Sequence, residues 1–86
     1  MVTRTVRFNC DEELQMKAVA VLIQKASTYR SSIWLSLGER RANAKSLLGV
    51  MSLGIGNASE IQITAEGVDE DEALQAIAVY LENPEF

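Results

Sequence analysis

The sequence predicts an α+β fold: a two-layer sandwich in the order β-α-β-β-α-β-α, with four strands in one sheet and three helices on one of its faces. Three observations carry that expectation. The stretches 2–9 and 60–67 alternate apolar and polar residues, as half-buried strands do. The stretches 15–28 and 69–81 place apolar residues at three- and four-residue steps, the period of a helix. Between them, "SIWLSL" (32–37) is strand-like and is followed by Gly38-Glu39-Arg40, a hairpin signal.

Each element can be justified in turn. In the first strand Val2, Val6 and Phe8 share one face, and Thr3, Thr5 and Arg7 the other. "CDEEL" is a polar connection. In the first helix Met16, Val19, Ala20, Leu22, Ile23 and Ala26 make a wide apolar stripe, with Lys17, Gln24 and Lys25 free to face water. In the second strand Ile33, Leu35 and Leu37 oppose Trp34, which falls on the outer sheet face as a surface packing residue. A short third strand returns through Arg41–Asn43. Ser46 then heads "LLGVM", about two turns of helix that Gly54 and Gly56 end, because glycine adopts the left-handed geometry after a helix readily. In the fourth strand Ile61, Ile63 and Ala65 point one way. The last helix starts at Asp69 with Glu72 three residues on, a capping-box arrangement, and buries Ala73, Leu74, Ile77, Ala78 and Leu81 before Pro84. Thr, Arg, Ser and Gln at the alternate strand positions suit a sheet whose second face is open to water.

At 86 residues the chain is expected to be one domain, 1–86, with a thin core. The net charge of −4 argues against non-specific nucleic-acid binding. No stretch has the length of a membrane span, and "MVTRTVRFN" does not read as a signal peptide. Cys10 is the one cysteine, so no internal disulfide or multi-cysteine metal site is expected, and a cytoplasmic location is. The chain has no histidine. That removes the commonest general base, the commonest zinc nitrogen ligand and any chemistry through a phosphohistidine. With no constellation of acid, base and nucleophile, the protein is expected not to be an enzyme and to need no cofactor or metal.

Two places remain as candidate sites. Ser46 can accept a hydrogen bond from a backbone N–H of the first turn, a cap of about 1 kcal/mol. It can also be a phosphorylation site, since a phosphate suits the unpaired N–H groups at a helix start. Arg40, Arg41 and Lys45 lie just before it in sequence. Leu47, Leu48, Met51 and Leu53 cannot all be buried by a two-turn helix, which suggests an apolar docking patch beside the serine. The second place is the first-helix start, "EELQMKA" (12–18), where Gln15 and Lys17 could meet a phosphate or a partner's carboxylate. Glu12 and Glu13 oppose an anion there, which favours an ordinary polar helix start. Cys10 lacks a base and reads as structural. "GVMSLGIG" has neither glycine-rich phosphate-loop spacing and ends a helix instead of opening one.

"NAKSLLGVMSLGIG" (43–56), followed by "EIQITAEGVDEDEALQAI", resembles the HPr family of small phosphocarrier proteins of the bacterial sugar phosphotransferase system. The likeness is specific in N-x-K-S-[IL]-[ML]-G-[VL]-M-S-L and extends over nearly the whole chain. It implies an HPr-like open-faced β-α-β-β-α-β-α sandwich with an antiparallel sheet in the order 1-4-2-3. It also implies that Ser46 is the serine modified by a bifunctional HPr kinase/phosphorylase. The family's carrier histidine belongs to a G-[IL]-H-A-R-P-A motif. Here Glu13 stands for the glycine, Gln15 for the histidine, Lys17 for the arginine and Ala18 for the proline. Histidine phosphotransfer is thereby excluded.

A glutamine at that place is similar to the Crh branch, the catabolite-repression HPr-like proteins. For them the resemblance implies a phosphoserine form that is corepressor of a LacI-type catabolite control protein, and dimers made by swapping the first strand, Val2–Phe8 here. The partner surface it implies is Leu47, Leu48, Met51 and Leu53 with Gln15 and Lys17. Lys17 keeps the arginine's charge but not its bidentate fork. The alternative reading is an unmodified binding or inhibitory module that competes with true HPr for a partner. A third is a degenerate domain derived from a larger protein.

Overall fold

A computed structural model describes residues 1–56 and 58–85. The elements are β1 (Val2–Arg7), a 3-10 turn (Glu12–Leu14), α1 (Gln15–Ser27), β2 (Ser32–Leu37), β3 (Arg40–Asn43), α2 (Leu47–Ser52), β4 (Glu60–Glu66) and α3 (Glu70–Glu82). The strands form one antiparallel sheet in the order β1-β4-β2-β3. The expected element order and strand order are therefore both present.

The alternation read in the strands sets the two faces. Val6, Ile33, Leu35, Ile61, Ile63 and Ala65 are buried under the helices, together with Phe8 just past β1. Register brings Thr3, Thr64, Trp34 and Asn43 side by side across the open face. Trp34 is half-buried there because the Arg41 guanidinium lies over its ring, 4.5 Å from the centroid. Such stacking keeps the indole covered without a second layer.

In α1 the buried residues are Ala18, Val19, Leu22 and Ala26. Met16 and Ala20 were expected in this stripe, yet both are exposed, Met16 at 64%. The packed side of the helix is the one carrying Ala18, Val19, Leu22 and Ala26, and Met16, in the first turn, falls off it. In α3, Ala73, Ile77, Ala78 and Leu81 are buried as expected and Leu74 is half-buried. Tyr80 is buried as well. Its hydroxyl donates to the Ala18 carbonyl at 2.8 Å and ties α3 to α1. Burial, with a smaller push from Cys10, raises the Tyr80 pKa to about 12, so the phenol stays a donor. Burial and the nearby Asp11 also raise the Cys10 pKa, which keeps the thiol protonated.

The expected capping box of α3 does not form. Asp69 stands at the N-cap but its side chain makes no bond to the helix. Its carboxylate instead accepts from Ser31 Oγ, from Ser31 N at 2.9 Å and from Arg30 N at 2.9 Å. Those bonds, the Ser31 hydroxyl first and the Arg30 amide next, hold its pKa down to about 2. Glu70, not Glu72, reaches back, accepting from Gly67 N at 3.2 Å. Gly67 has φ +153°, and a Cβ there would lie 2.6 Å from Ser31 Oγ and 2.7 Å from Ser31 Cα. The corner between β4 and α3 is thus closed tightly onto the start of β2.

Candidate functional site at the α1–α2 face

The site is built outward from the end of β3. Asn43 closes a turn there: its side-chain Oδ1 accepts from Lys45 N at 2.8 Å and its carbonyl accepts from Ser46 N at 3.0 Å. Ala44 is fully buried and its N–H donates to the Ile33 carbonyl at 2.8 Å, which anchors the turn to the sheet. Ser46 emerges in extended conformation (φ −107°, ψ 113°) as the N-cap of α2. Its Oγ accepts from Gly49 N at 3.2 Å, so the cap read from the sequence is made.

Glycine in mid-helix is less favourable than alanine by about 1 kcal/mol. At position 49 it has a spatial reason. A Cβ would stand 3.2 Å from Ser46 Oγ and 3.4 Å from Ala42 Cβ, so glycine leaves the serine hydroxyl room between helix and sheet.

The six residues of α2 cannot bury both their sides. Val50 points into the core. Leu47, Leu48 (78%) and Met51 are exposed, as expected for a docking patch. Leu53 was expected in the same patch and is not part of it. At 4% exposure it belongs to the core, just past the end of the helix at Ser52 and before Gly54 (φ +69°) changes the chain's direction. Gly54 therefore ends the helix as expected, and Gly56 lies beyond the turn.

Opposite α2 stands the start of α1. A groove of about 350 Å³ runs between them, lined by Glu12, Gln15, Met16, Val19, Val50, Met51, Gly54 and Ile55. Gln15 thus lines the wall that faces α2, whereas Lys17 is exposed on α1 outside that lining. Met16, Glu12 and Ile55 were missed as site residues. The helical period placed Met16 inward, whereas the packed side of α1 is the one carrying Ala18, Val19, Leu22 and Ala26.

The three cations before Ser46 do not gather around it. Arg40 Nη1 donates to the Ser52 carbonyl at 3.1 Å, Arg41 covers Trp34, and Lys45 Nζ donates to the Tyr29 carbonyl at 2.8 Å. Strand alternation explains the split, since Arg40 and Arg41 leave opposite faces of β3. Among the described residues no group of three or more Cys, Asp or Glu side chains could hold a metal, and no helix is long and apolar enough to cross a membrane.

A short α+β sandwich with a capped serine beside an exposed apolar helix, and without any imidazole, defines a protein of phosphocarrier architecture that lacks the phosphocarrier's histidine. The comparisons agree. The family model for the phosphotransferase-system HPr component phosphorylation site matches residues 2–83, and the chain belongs to the HPr family. It is 37% identical over 82 residues to the HPr-like protein Crh of Halalkalibacterium halodurans, covering 95% of this chain and 98% of that one. The crystal structure of the phosphocarrier protein HPr from Bacillus anthracis superposes with a TM-score of 0.89 at 39% identity, covering 93% of this chain and 95% of the other. Crystalline Bacillus subtilis Crh, described as a dimer with a swapping domain, gives a TM-score of 0.77 at 30% identity over 94% of this chain and 88% of that one.

Proposed function

We propose that this protein is a non-enzymatic regulator of carbon catabolite repression. HPr kinase/phosphorylase phosphorylates Ser46, and the phospho-form acts as corepressor of a LacI-type catabolite control protein. The observation that carries this reading is Ser46 itself. It is a half-buried cap in a family-specific segment, in a chain with no histidine to phosphorylate. The hydroxyl makes one bond that stabilises α2, so a phosphate can replace that bond locally. Leu47, Leu48 and Met51 supply the adjoining apolar contact, with Gln15 on the facing wall and Lys17 as an auxiliary cation. In this reading the whole chain, 1–86, is one HPr-like domain working in the cytosol.

Incubation with HPr kinase/phosphorylase and a phosphate donor should add one phosphate, seen by intact mass, and Ser46→Ala should abolish it. An unmodified wild-type mass under conditions that modify an authentic HPr would contradict the reading. If Ser46→Asp leaves partner capture by the unphosphorylated protein unchanged, the face works as an unmodified competitor of HPr instead.

The swapped Crh dimer supports a second element of the proposal, a homodimer formed by exchange of β1. Size-exclusion chromatography should show monomer and dimer in slow exchange. A sole monomer at every concentration would remove this element.

A further inference from the structure

We propose that the α1–α2 groove takes a partner of one charge type, an apolar helix flanked by lysines or arginines, and that Glu12 and Glu13 select it. The inference deepens the docking surface proposed above and rests on that reading of the face.

The groove has the composition of a helix-binding cleft. Val19, Val50 and Ile55 give it an apolar floor, while Met16 and Met51 stand exposed at its mouth. Methionine is unbranched and adapts to irregular apolar surfaces. An open cleft of this kind fits one face of an amphipathic helix.

Its rim fixes the sign of the partner. Glu12 lines the groove and Glu13 follows it in the same exposed turn. Among the described residues, Asp11, Glu12 and Glu13 make no ion pair. Arg40, Arg41 and Lys45 are committed to Ser52, Trp34 and Tyr29, as described above. Arg7 and Lys17 are the cations nearest these acids in sequence; Arg7 pairs with Glu60 and neither lines the groove. A partner bearing carboxylates would meet the Glu12 carboxylate in the lining and Glu13 in the turn beside it. A partner bearing lysines or arginines would meet complementary charges, and such pairing governs choice of partner more than raw affinity. A phosphate on Ser46 adds charge of the same sign, so both forms of the protein prefer the same kind of partner.

The probes are two synthetic helices sharing one leucine face at i, i+3, i+4 and i+7, one flanked by lysines and the other by glutamates. Each is titrated into the full-length 15N-labelled chain, unphosphorylated and in the Ser46→Ala background. The lysine helix should move the amides of Gln15, Met16, Met51 and Gly54. Glu12→Gln and Glu13→Gln should each weaken it by about two- to fivefold, and added salt should weaken it further. The glutamate helix should bind more weakly. Equal binding of the two helices, affinities that ignore both substitutions, shifts centred on Glu70–Glu72, or self-association through the same amides without peptide would each overturn the proposal. The titration involves no phosphate, so its outcome and that of the kinase assay are independent.

Discussion

Two side chains stand at helix starts in this molecule and do opposite things. Ser46 caps α2 with a single bond to Gly49 N. Asp69 occupies the same formal place at α3 and makes no cap, because three donors of the Arg30–Ser31 segment take its carboxylate. Around Asp69 the structure is closed: Ser31 is buried and Gly67 has no space for a side chain. Around Ser46 it is open, with Leu48 exposed and a groove nearby. A polar group held by several partners locks the fold. One held by a single partner, with space around it, remains available for modification.

The strongest way to break this contrast is at Gly67. Alanine there meets Ser31 backbone and side chain at a φ that side chains rarely adopt, so Gly67→Ala should destabilise the fold by about 2–4 kcal/mol. Thermal unfolding should show it as a fall in Tm of about 10 °C or more for a chain of this length. A variant as stable as wild type would mean the corner is not closed as described.

Asp69→Asn comes next. An amide offers one oxygen where the carboxylate uses both, so at least one backbone donor loses its acceptor. The pH dependence has a defined sign. The folded-state pKa is depressed to about 2 from the ordinary 3.8. The stabilisation is therefore full above about pH 4 and is lost as pH falls through about 2. The difference in urea midpoint between wild type and variant should be largest at neutral pH and shrink across that acid window. A difference independent of pH would contradict the assignment.

Ser46→Ala should have the smallest effect, a loss of about 1 kcal/mol from the missing cap. A loss as large as that at Gly67 would place Ser46 among the structural locks instead.

How much of this was legible in the sequence depends on whether the signal was local. The strands were legible because alternation reports the two faces of a sheet directly. The Ser46 cap was legible because a cap is made within one turn of chain. The Asp69 capping box was not, because Ser31 is 38 residues away in sequence and competes for the same carboxylate. Leu53 and Met16 exchanged their expected roles for a related reason. Periodicity marks the apolar residues of a helix but not where α2 stops or which apolar residues of α1 the fold covers. The separation of Arg40 from Arg41 follows from strand alternation, yet the partners of these two and of Lys45 lie on elements brought together only by folding.

Phosphorylation of Ser46 is proposed as a local event on an open face, with the closed corner untouched. Comparing amide 15N–1H spectra of the enzymatically phosphorylated and unmodified protein tests it most directly. Large shifts are expected at Ser46–Val50, smaller ones along the groove at Gln15, Met16 and Ile55, and none at Ser31, Gly67 or Asp69. Failure to obtain the phospho-form, or shifts spread across the sheet and into the Ser31–Asp69 corner, would contradict it.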